Sequence, residues 1–330
     1  MRFAGRMVIQ PIDPLSQGDL IAGLHDAYVA AATDDPGPQL SLARFRAHLC
    51  VDTPGLRTEL WAVVEDGKVT GGYRLALHLL DNTHVGTVLP LVVRPERRTK
   101  GLGSALFEHA VGRLRAHGRR LMLTETPVIG AGARFARAHG MTVALTEARR
   151  TLDLRTADWP ALEAMVPEVP GYSLEQWIGP AGPELLPDLV TVTGGMNDAP
   201  RDGDLEDMNF SLDRIRDHER RIPDSGETCY TTIARRDSDG APAGYTRLYL
   251  AADRSDGWCY QADTTVLGEH RGHRLGLLLK LRNLLWMRER EPHLERVITW
   301  NATSNTHMLA INEAMGFELF DEWNQWRLDV

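Results

Sequence analysis

The sequence predicts an α/β protein in which one fold, a mixed sheet with helices on its faces, is built twice along the chain. Two similar stretches carry this prediction: "VRPERRTKGLGSALF" begins at Val93, and "VLGEHRGHRLGLLLK" begins at Val266, 173 positions later. In both, an arginine follows five residues after the valine, and a glycine leads into an apolar run. The length of 330 residues and the hydrophobic content of 43% suit two globular domains.

Further landmarks recur in the same order, which supports a duplication over most of the chain. Gly-Tyr pairs lie 172 positions apart, glycines that precede Met or Phe lie 176 apart, and Leu-Asp pairs also lie 176 apart. These landmarks begin at Gly72 and Gly244, Gly140 and Gly316, and Leu152 and Leu328. Prolines interrupt the stretch "RTADWPALEAMVPEVPGYS" after the first copy, so we predict domains 1–155 and 156–330.

The same order of elements is predicted in each copy. A first strand (7–12 and 172–178) leads into helical segments, and hairpin strands follow in "LWAVVEDGKVTGGYRLAL" and "CYTTIARRDSDGAPAGYTRLYLA". The next strand ends at the repeated valine. The helix after it has apolar residues at every fourth position in the first copy, which are Leu102, Leu106, Ala110 and Leu114. A fifth strand, a helix ending at Gly-Met or Gly-Phe, and final strands complete each copy.

Composition excludes several classes of function. The net charge of -8 and pI near 5.8 argue against nucleic acid as the main partner, because phosphate backbones are bound by basic faces. The three cysteines form no Cys-x-x-Cys pair, which argues against structural zinc or disulfides and favours a reducing compartment. No signal peptide or run of 18 apolar residues is visible, so we expect a soluble, cytoplasmic protein without membrane contact. The histidines show no metal-ligand spacing, and no metal is expected.

The repeated stretch has the chemistry of a phosphate-binding turn. A strand ends, the backbone turns through glycine, and a helix begins, so unpaired amides and the positive end of the helix dipole meet at one place. Glycines at 101 and 103 allow a ligand to approach the backbone closely, and Arg98 and Lys100 can add positive charge at the rim. A phosphorylated ligand is therefore predicted at this turn.

The pattern resembles the acyl-CoA pyrophosphate loop of the GNAT acetyltransferase superfamily, usually Val-x-Pro-x-x-(Arg/Gln)-x-x-Gly-x-(Gly/Ala). The first copy matches this pattern at every place, with Val93, Pro95, Arg98, Gly101 and Gly103. The second copy matches at Val266, Arg271 and Gly276, while Arg274 stands where the first glycine is usual. Together the copies resemble a tandem-domain GNAT acetyltransferase of mycothiol-synthase-like architecture. That resemblance implies two domains, each with a mostly antiparallel central sheet flanked by helices.

The resemblance implies acetyl-CoA as co-substrate and assigns loop residues to its binding. In the first copy these are Val93, Arg98, Thr99, Lys100, Gly101, Leu102, Gly103 and Ser104. In the second copy they are Val266, Arg271, Gly272, His273, Arg274, Leu275, Gly276 and Leu277. Asn301 and Asn305, in "WNATSNTHMLAINEAMGF", resemble the family segment that contacts the CoA arm. Both also suit a local role, since Asn301 can turn the strand and Asn305 can cap the next helix.

In GNAT chemistry an amine attacks the thioester directly, and a base takes the proton from the ammonium group. Many members protonate the departing thiolate with a tyrosine four residues before the last glycine, but Ala136 and Asn312 occupy those positions here. The candidate catalytic residues are Asp263 and Tyr260, with Glu269 behind them. A bulge in this strand, usual in the family, decides which face they take. Asp263 also suits a purely structural hydrogen bond to a neighbouring loop.

The two copies are predicted to do different work. The strand "HVGTVLPLVV" of the first copy offers only His84 and Thr87 as polar side chains, which are poor acid or base material. The first domain is therefore expected to bind CoA or to act as a scaffold, and the second domain is expected to catalyse the reaction.

Three functions remain open from the sequence. The leading one is a GNAT N-acetyltransferase that transfers acetyl from acetyl-CoA to the amine of a small molecule. The others are a catalytically silent CoA-binding regulatory or scaffold protein, and a protein that holds another phosphorylated ligand, although Walker and Rossmann spacings are absent. The segment "MNDAPRDGDLEDM" either attracts a cationic amine or is a solvated acidic loop. A monomer or a homodimer is expected.

Overall fold

The computed structural model describes residues 8–32, 37–254 and 256–330. The chain divides into two compact units: unit 1 comprises Met1–Val143 with Gln325–Val330, and unit 2 comprises Ala144–Asn324. Helices accompany a mostly antiparallel sheet in each unit, so the predicted fold class is confirmed. Within the described ranges, no helix combines the length and apolar character needed to cross a bilayer.

Unit 1 begins with a strand and two helices that precede a hairpin. Its elements are β1 (Ile9–Ile12), α1 (Gly18–Ala31), α2 (Leu42–Leu49), β2 (Leu56–Glu65), β3 (Lys68–His78), β4 (Val85–Val93), α3 (Leu102–Ala116), β5 (Leu121–Pro127) and α4 (Ala131–Ala138). Strands β1 to β4 pair antiparallel in chain order, and β5 pairs parallel to β4. The first strand was predicted over 7–12, of which Met7 lies outside the described residues.

Unit 2 repeats this order after a long strand. Its elements are β6 (Thr142–Asp153), α5 (Trp159–Met165), β7 (Tyr172–Ile178), α6 (Leu186–Gly194), α7 (Leu212–Arg221), β8 (Glu227–Arg236), β9 (Pro242–Ala251), β10 (Trp258–Val266), α8 (Leu275–Arg290), β11 (Arg296–Ala302), α9 (Thr306–Ala314) and β12 (Glu318–Asp329). Strands β7 to β10 pair antiparallel, β11 pairs parallel to β10, and β6 pairs antiparallel to β11.

Strand β6 ends the first copy of the repeat but lies mostly in unit 2, and β12 ends the second copy but lies in part in unit 1. Residues 144–153 of β6 belong to unit 2, and β12 belongs to unit 1 from Gln325 onward. Trp326, 1% exposed, joins the core of unit 1, and its Nε1 donates a hydrogen bond of 2.8 Å to Thr126 Oγ1. The compact units therefore differ from the continuous segments 1–155 and 156–330, and the boundary of the repeat itself stays a prediction.

Strand pairing fixes the register of the repeat more closely than the sequence landmarks. The Cα partner of Val93 is Gly71, and that of Val266 is Gly244, so the paired positions of the two hairpins differ by 173. The Gly-Tyr landmark with its offset of 172 is therefore wrong by one residue. Tyr245 corresponds to Gly72, and because a shift by one residue reverses the face of a strand, Tyr73 and Tyr245 point to opposite sides of their sheets.

Helices α3 and α8 bury their apolar faces on the sheet of their own unit. The four residues predicted for α3 are at most 3% exposed, and Leu275, Leu279 and Met287 on α8 are fully buried. Burying one such side chain contributes about 1.5–3 kcal/mol. Both helices are therefore fixed on the sheet, and with them the turns at their N-termini.

Glu59 on β2 ties the sheet of unit 1 to α3. Its carboxylate accepts hydrogen bonds from Arg113 Nε at 3.0 Å and Nη2 at 2.8 Å, and from Trp61 Nε1 at 3.2 Å. His117 Nε2 lies 2.7 Å from Glu59 Oε1. Burial works to raise the pKa of Glu59, but the bonds from Arg113, His117 and Trp61 outweigh it and lower the pKa to about 2.

Unit 1 should lose stability as the pH falls from about 4.5 to about 2, because the folded-state pKa of Glu59 lies below its ordinary value. We expect Glu59→Gln to lower the free energy of unfolding by about 1–3 kcal/mol at pH 7 and to flatten this acid dependence. Urea unfolding at pH 7, 4.5 and 3 measures both effects. Glu65→Gln is the matched control, since its ion pair with Arg97 is more exposed and should contribute less than about 1 kcal/mol. Equal acid dependence in both variants would contradict the assignment.

Candidate functional site

The turns after β4 and β10 have the same backbone shape. Positive φ angles fall at matching places, 60° at Thr99 and 83° at Gly101 in the first turn, and 83° at Gly272 and 63° at Arg274 in the second. Threonine and arginine thus take left-handed conformations that glycine adopts without strain. The second turn keeps the loop geometry even though an arginine replaces the usual glycine.

The two turns also share the position of an arginine side chain. The Nε of Arg98 and of Arg271 donates to the carbonyl oxygen of the valine that ends the preceding strand, at 3.3 and 2.9 Å. Arg98 Nη2 also donates to the Ala31 carbonyl oxygen at 2.9 Å, whereas Arg271 Nη2 donates to the carboxylate of Asp198. Both arginines brace their turns, and among the described residues only Arg271 has its charge compensated by a carboxylate in doing so.

The turns expose the amides that a phosphate would need. Thr99, Lys100 and Gly101 are exposed, as are residues 272–274, and the first amides of α3 and α8 have no acceptor within their own helices. A Cβ placed on Gly101 would meet no heavy atom within 4 Å. A negatively charged group can therefore reach these amides and the positive ends of both helices.

Other predicted loop residues contribute packing. Leu102 and Leu275 are 3% and 1% exposed, so only their amides can face a ligand, and Leu277 packs against the core of unit 2. Ser104 Oγ lies 3.1 Å from His139 Nε2. The ring of His273 lies beside that of Tyr172, with the ring centroids 5.9 Å apart.

The second glycine of each turn allows close packing between helices. A Cβ on Gly103 would lie 3.2 Å from Phe135 on α4, and a Cβ on Gly276 would lie 3.4 Å from Ile311 on α9. Lys100 Nζ donates to the Glu96 carbonyl oxygen at 2.9 Å, within its own turn. These glycines therefore serve the scaffold that holds the amides in place.

The two asparagines predicted to contact the CoA arm both have protein partners. Asn305 caps α9, since its Oδ1 accepts the amide of Met308 at 3.2 Å. Asn301 Oδ1 accepts a hydrogen bond of 2.6 Å from Nδ2 of Asn312, a fully buried residue whose own Oδ1 has no hydrogen-bond partner among the described residues. Of the two local roles considered from the sequence, the cap by Asn305 is present, whereas Asn301 does not turn the strand, because β11 continues to Ala302. CoA contact by these residues stays a prediction.

A gap between two parallel strands lies beside each turn. Parallel pairing stops at Thr87 with Leu123 in unit 1 and at Gln261 with Thr299 in unit 2. In both units the strand that leads to the turn carries a bulge at this point, as predicted. In unit 2 the bulge contains Asp263. We call the space between β10 and β11 beyond their last pair the unit 2 cleft.

Asp263 is held by a buried tyrosine on the neighbouring strand. Its Oδ2 accepts a hydrogen bond of 2.9 Å from the hydroxyl of Tyr245, which is 1% exposed. Thr193 Oγ1 on α6 donates to the same hydroxyl oxygen at 3.4 Å. Burial, together with the charge of Asp263, holds the pKa of Tyr245 well above its ordinary value, so this tyrosine stays a donor. The half-buried Asp263 is thereby held in a fixed position beside the cleft.

Tyr260 forms an aromatic wall with a residue of the next strand. Its ring stacks on Trp300 with an interplanar angle of 4° and ring centroids 6.2 Å apart. Trp300 is 37% exposed and lies one residue beyond the last pair of β10 with β11. The stacked pair therefore flanks the unit 2 cleft. Trp300 is partly open to solvent, whereas Trp326 is part of the core.

A buried ion pair on this face was missed by the sequence analysis. Arg247 on β9 and Glu219 on α7 are both 3% exposed, and Arg247 Nη2 lies 2.7 Å from Glu219 Oε1. Glu219 Oε2 also accepts the amide of Ala181 at 2.7 Å. Arg247 Nη1 donates to the hydroxyl oxygen of Tyr249 at 3.2 Å, and His218 Nε2 lies 3.4 Å from that oxygen.

One signal in the sequence could have found part of this network. Tyr245, Arg247 and Tyr249 alternate in "YTRLY", and alternate residues of a strand share a face. Their partners on α7 lie some thirty residues earlier, as in the pair Arg247–Glu219 with a separation of 28. Nothing in the local sequence selects His218 and Glu219 from the other charged residues of that helix.

Unit 1 lacks most of this chemistry at the matching positions. The residues equivalent by register to Tyr245, Tyr249 and Asp263 are Gly72, Ala76 and Pro90. Arg74, equivalent to Arg247, is retained and 8% exposed. The strand that leads to the first turn therefore has a proline in place of the acidic residue of the second.

The polar groups available near the gap of unit 1 differ from those predicted. Thr87 Oγ1 lies 3.5 Å from His78 Nε2, and His84 lies just before β4. Glu125 on β5 was not singled out from the sequence, and burial raises its pKa despite a hydrogen bond with Gln325. Glu125 lies on β5 two residues beyond its last pair with β4, so it is the carboxyl group of unit 1 to test against Asp263 as a candidate catalytic residue.

The acidic segment before α7 is partly neutralised by its own contacts. Asp198 pairs with Arg271, and Asp207 pairs with Arg201. Asp202 is 5% exposed, and its Oδ1 accepts the amide of Asp204 at 2.8 Å. Both interpretations of this segment remain open, but fewer of its carboxylates are available to attract a cation than the sequence suggests.

Comparison with known proteins gives a consistent picture. Residues 23–141 match the model of the acetyltransferase (GNAT) family, and no curated protein matches the sequence. Among solved structures, the chain is similar to a tandem GNAT protein from the clavulanic acid biosynthesis pathway, with 29% identity, a TM-score of 0.82, and 98% of each chain covered. A GCN5-related N-acetyltransferase from Sphaerobacter thermophilus shares the fold at 15% identity and a TM-score of 0.69, covering 99% of this chain and 97% of that one.

Proposed function

Because the chain carries an acetyltransferase (GNAT) domain and shares the architecture of a tandem GNAT protein, we propose that it is an acyl-CoA-dependent N-acyltransferase. The GNAT family supports acyl transfer in general. The finer proposal is that acetyl-CoA is the donor, that the amine of a small molecule is the acceptor, and that the reaction takes place in unit 2.

The observation that carries the assignment to unit 2 is the carboxylate of Asp263 at the bulge beside the cleft. In a direct-attack mechanism the thioester lies in the gap between the parallel strands, with the CoA phosphates at the turn. Asp263 then lies where it can receive the acceptor's ammonium group, and Tyr260 with Trp300 forms a wall beside it. Tyr245 positions the carboxylate, and fixed geometry of this kind supplies much of the acceleration in a two-substrate reaction.

The two turns divide the binding of CoA. Residues 99–104 in unit 1 and 272–277 in unit 2 would offer their backbone amides to the phosphates, with Arg98 and Arg271 holding the turns in shape. Unit 1 has the complete loop pattern and is the part that the family model matches, but it has Pro90 in place of the acidic residue. We therefore propose that unit 1 binds CoA or supports the fold while unit 2 catalyses.

A silent CoA-binding protein is the second candidate, and one observation favours it. Asn312 is fully buried where many family members have the tyrosine that protonates the thiolate, and Ala136 takes that place in unit 1. Release of CoA from acetyl-CoA in the presence of a panel of amines and amino acids distinguishes the two candidates. Failure of both acetyl-CoA and CoA to raise the melting temperature of the protein would overturn both.

Charge reversal in the turns should separate the roles of the two units. We expect Arg274→Glu to raise KM for acetyl-CoA about tenfold or more, since a carboxylate beside the phosphate site repels the ligand. Gly101→Glu should weaken CoA binding by unit 1 and leave turnover largely intact. Gly101→Asn and Arg274→Asn are the matched controls, because asparagine tolerates the left-handed conformation without adding charge. Loss of turnover in Gly101→Glu alone would place the chemistry in unit 1.

A further inference from the structure

Tyr249 and His218 form a tyrosine–histidine pair on the same face of unit 2 as Asp263. Tyr249 is half-buried on β9, and its Cα partner on β10 is Tyr260, a wall residue of the cleft. His218 Nε2 on α7 lies 3.4 Å from the Tyr249 hydroxyl oxygen, and the histidine side chain is exposed to solvent. The pair therefore runs from the edge of the cleft to the surface.

The neighbouring arginine sets the direction of the hydrogen bonds. Arg247 Nη1 donates to the Tyr249 oxygen at 3.2 Å, so the hydroxyl proton of Tyr249 is directed elsewhere. The Nε2 of His218 can accept that proton, which requires the neutral imidazole to carry its proton on Nδ1. In this arrangement Tyr249 can accept a proton on its oxygen only as it passes its own proton to His218.

The charges around His218 favour its neutral form. Charged or titratable groups from three elements face His218. They are Arg247 and Tyr249 on β9, Glu219 and Arg221 on the same helix α7, and Asp263 on β10. Partial loss of hydration on the side of the ring that faces β9, together with the charge of Arg247, lowers the pKa of His218, and the charges of Glu219 and Asp263 oppose this shift. A neutral imidazole is ready to accept a proton at neutral pH, and imidazole is a stronger base than an ordinary carboxylate.

We propose that Tyr249 and His218 form the proton exit of the acyltransfer site, a deepening of the proposed function on which it rests. The acceptor's ammonium group, paired with Asp263, gives a proton to the Tyr249 oxygen while the Tyr249 proton moves to His218 Nε2. The neutral amine then forms the C–N bond to the thioester carbonyl carbon, and the C–S bond breaks with its electron pair on sulfur. The second amine proton neutralises the thiolate, and His218 releases a proton to water.

Two features set this pair apart from a structural hydrogen bond. Unit 1 keeps the buried arginine as Arg74 but has Ala76 in place of Tyr249, so the fold of the hairpin does not require the tyrosine. His218 is the most exposed member of the network, which gives the proton a route to solvent. Asp263 has no such route through its own partner, because Tyr245 is buried.

The proposal is tested by the pH dependence of acyl transfer in the full-length protein. We expect His218→Gln to lower kcat about 10- to 100-fold at pH 7, to remove the acidic limb that the wild-type kcat/KM profile should show below about pH 6.5, and to leave KM for acetyl-CoA unchanged. Imidazole added to the buffer should restore part of the rate, because the site of the lost ring is open to solvent. Tyr249→Phe should show the same loss of rate without rescue.

The matched control is a second tyrosine–histidine pair in unit 1. Tyr73 hydroxyl lies 2.7 Å from His109 Nδ1, and His109→Gln should keep the wild-type profile. Wild-type rates and an unchanged acidic limb in both His218→Gln and Tyr249→Phe would overturn the proton exit while leaving the acyltransferase in place. Absence of CoA release by the wild type with every amine would overturn the proposed acyltransferase, and the proton exit with it.

Discussion

Asp263→Asn should lower kcat/KM for the acceptor amine by about 100-fold or more, because the variant loses the charge that holds the acceptor's ammonium group at the reaction site. Asparagine keeps the size of the side chain and can still accept the hydrogen bond of Tyr245 through its amide oxygen. The loss of kcat/KM is therefore caused by removal of the negative charge beside the cleft, because the variant keeps the bond that holds the bulge in place. Initial rates at varied amine and saturating acetyl-CoA measure it.

Glu125→Gln is the matched control for this loss. Glu125 is the carboxyl group near the corresponding gap of unit 1, and burial raises its pKa. If unit 2 catalyses, this variant should keep kcat/KM within about threefold of the wild type, well short of the effect of removing an acid–base group. A large loss in Glu125→Gln together with a small one in Asp263→Asn would move the reaction to unit 1.

Glu219→Ala should have the largest effect on stability, lowering the free energy of unfolding of unit 2 by about 3–5 kcal/mol. Arg247 would be left as an uncompensated charge at 3% exposure, and the amide of Ala181 would lose its acceptor. Urea unfolding followed by circular dichroism measures the loss. The double variant Glu219→Leu, Arg247→Met should be less destabilised than the single one, because it removes the buried charge as well as its partner.

Asp198→Asn provides the comparison for an exposed ion pair. The side chains of Asp198 and Arg271 are 58% and 50% exposed, and such pairs contribute at most about 1 kcal/mol. A loss in Glu219→Ala no greater than that in Asp198→Asn would contradict the view that the pair Arg247–Glu219 holds α7 on the sheet.

The sequence predicts best where structure is set by neighbours along the chain. A strand that ends at Val93 or Val266, a turn with positive φ, and an apolar helix follow from residues within a few positions of each other, and all are present. The network around Arg247 could not be predicted in this way, because its members come together from α6, α7, β9 and β10. Burial of both Arg247 and Glu219 is a property of the packed unit, and charged residues of an amphipathic helix are otherwise expected at its surface.

Register shows the same limit on a smaller scale. A Gly-Tyr pair occurs in both hairpins, but strand pairing makes Tyr245 the equivalent of Gly72. One residue separates a tyrosine packed against α3 from a tyrosine that positions Asp263. Which face a side chain takes depends on partner strands and on the bulge at Asp263, and neither can be counted from the sequence of one strand.

The membership of β12 in unit 1 from Gln325 onward has a consequence for the synthesis of the protein. During translation the N-terminal half leaves the ribosome long before the residues that include Trp326, whose side chain fills part of its core. Domains usually fold in the order in which they emerge, but here the core of unit 1 stays incomplete until Trp326 has also emerged. Unit 1 therefore completes its core only after the residues of unit 2 have been synthesised.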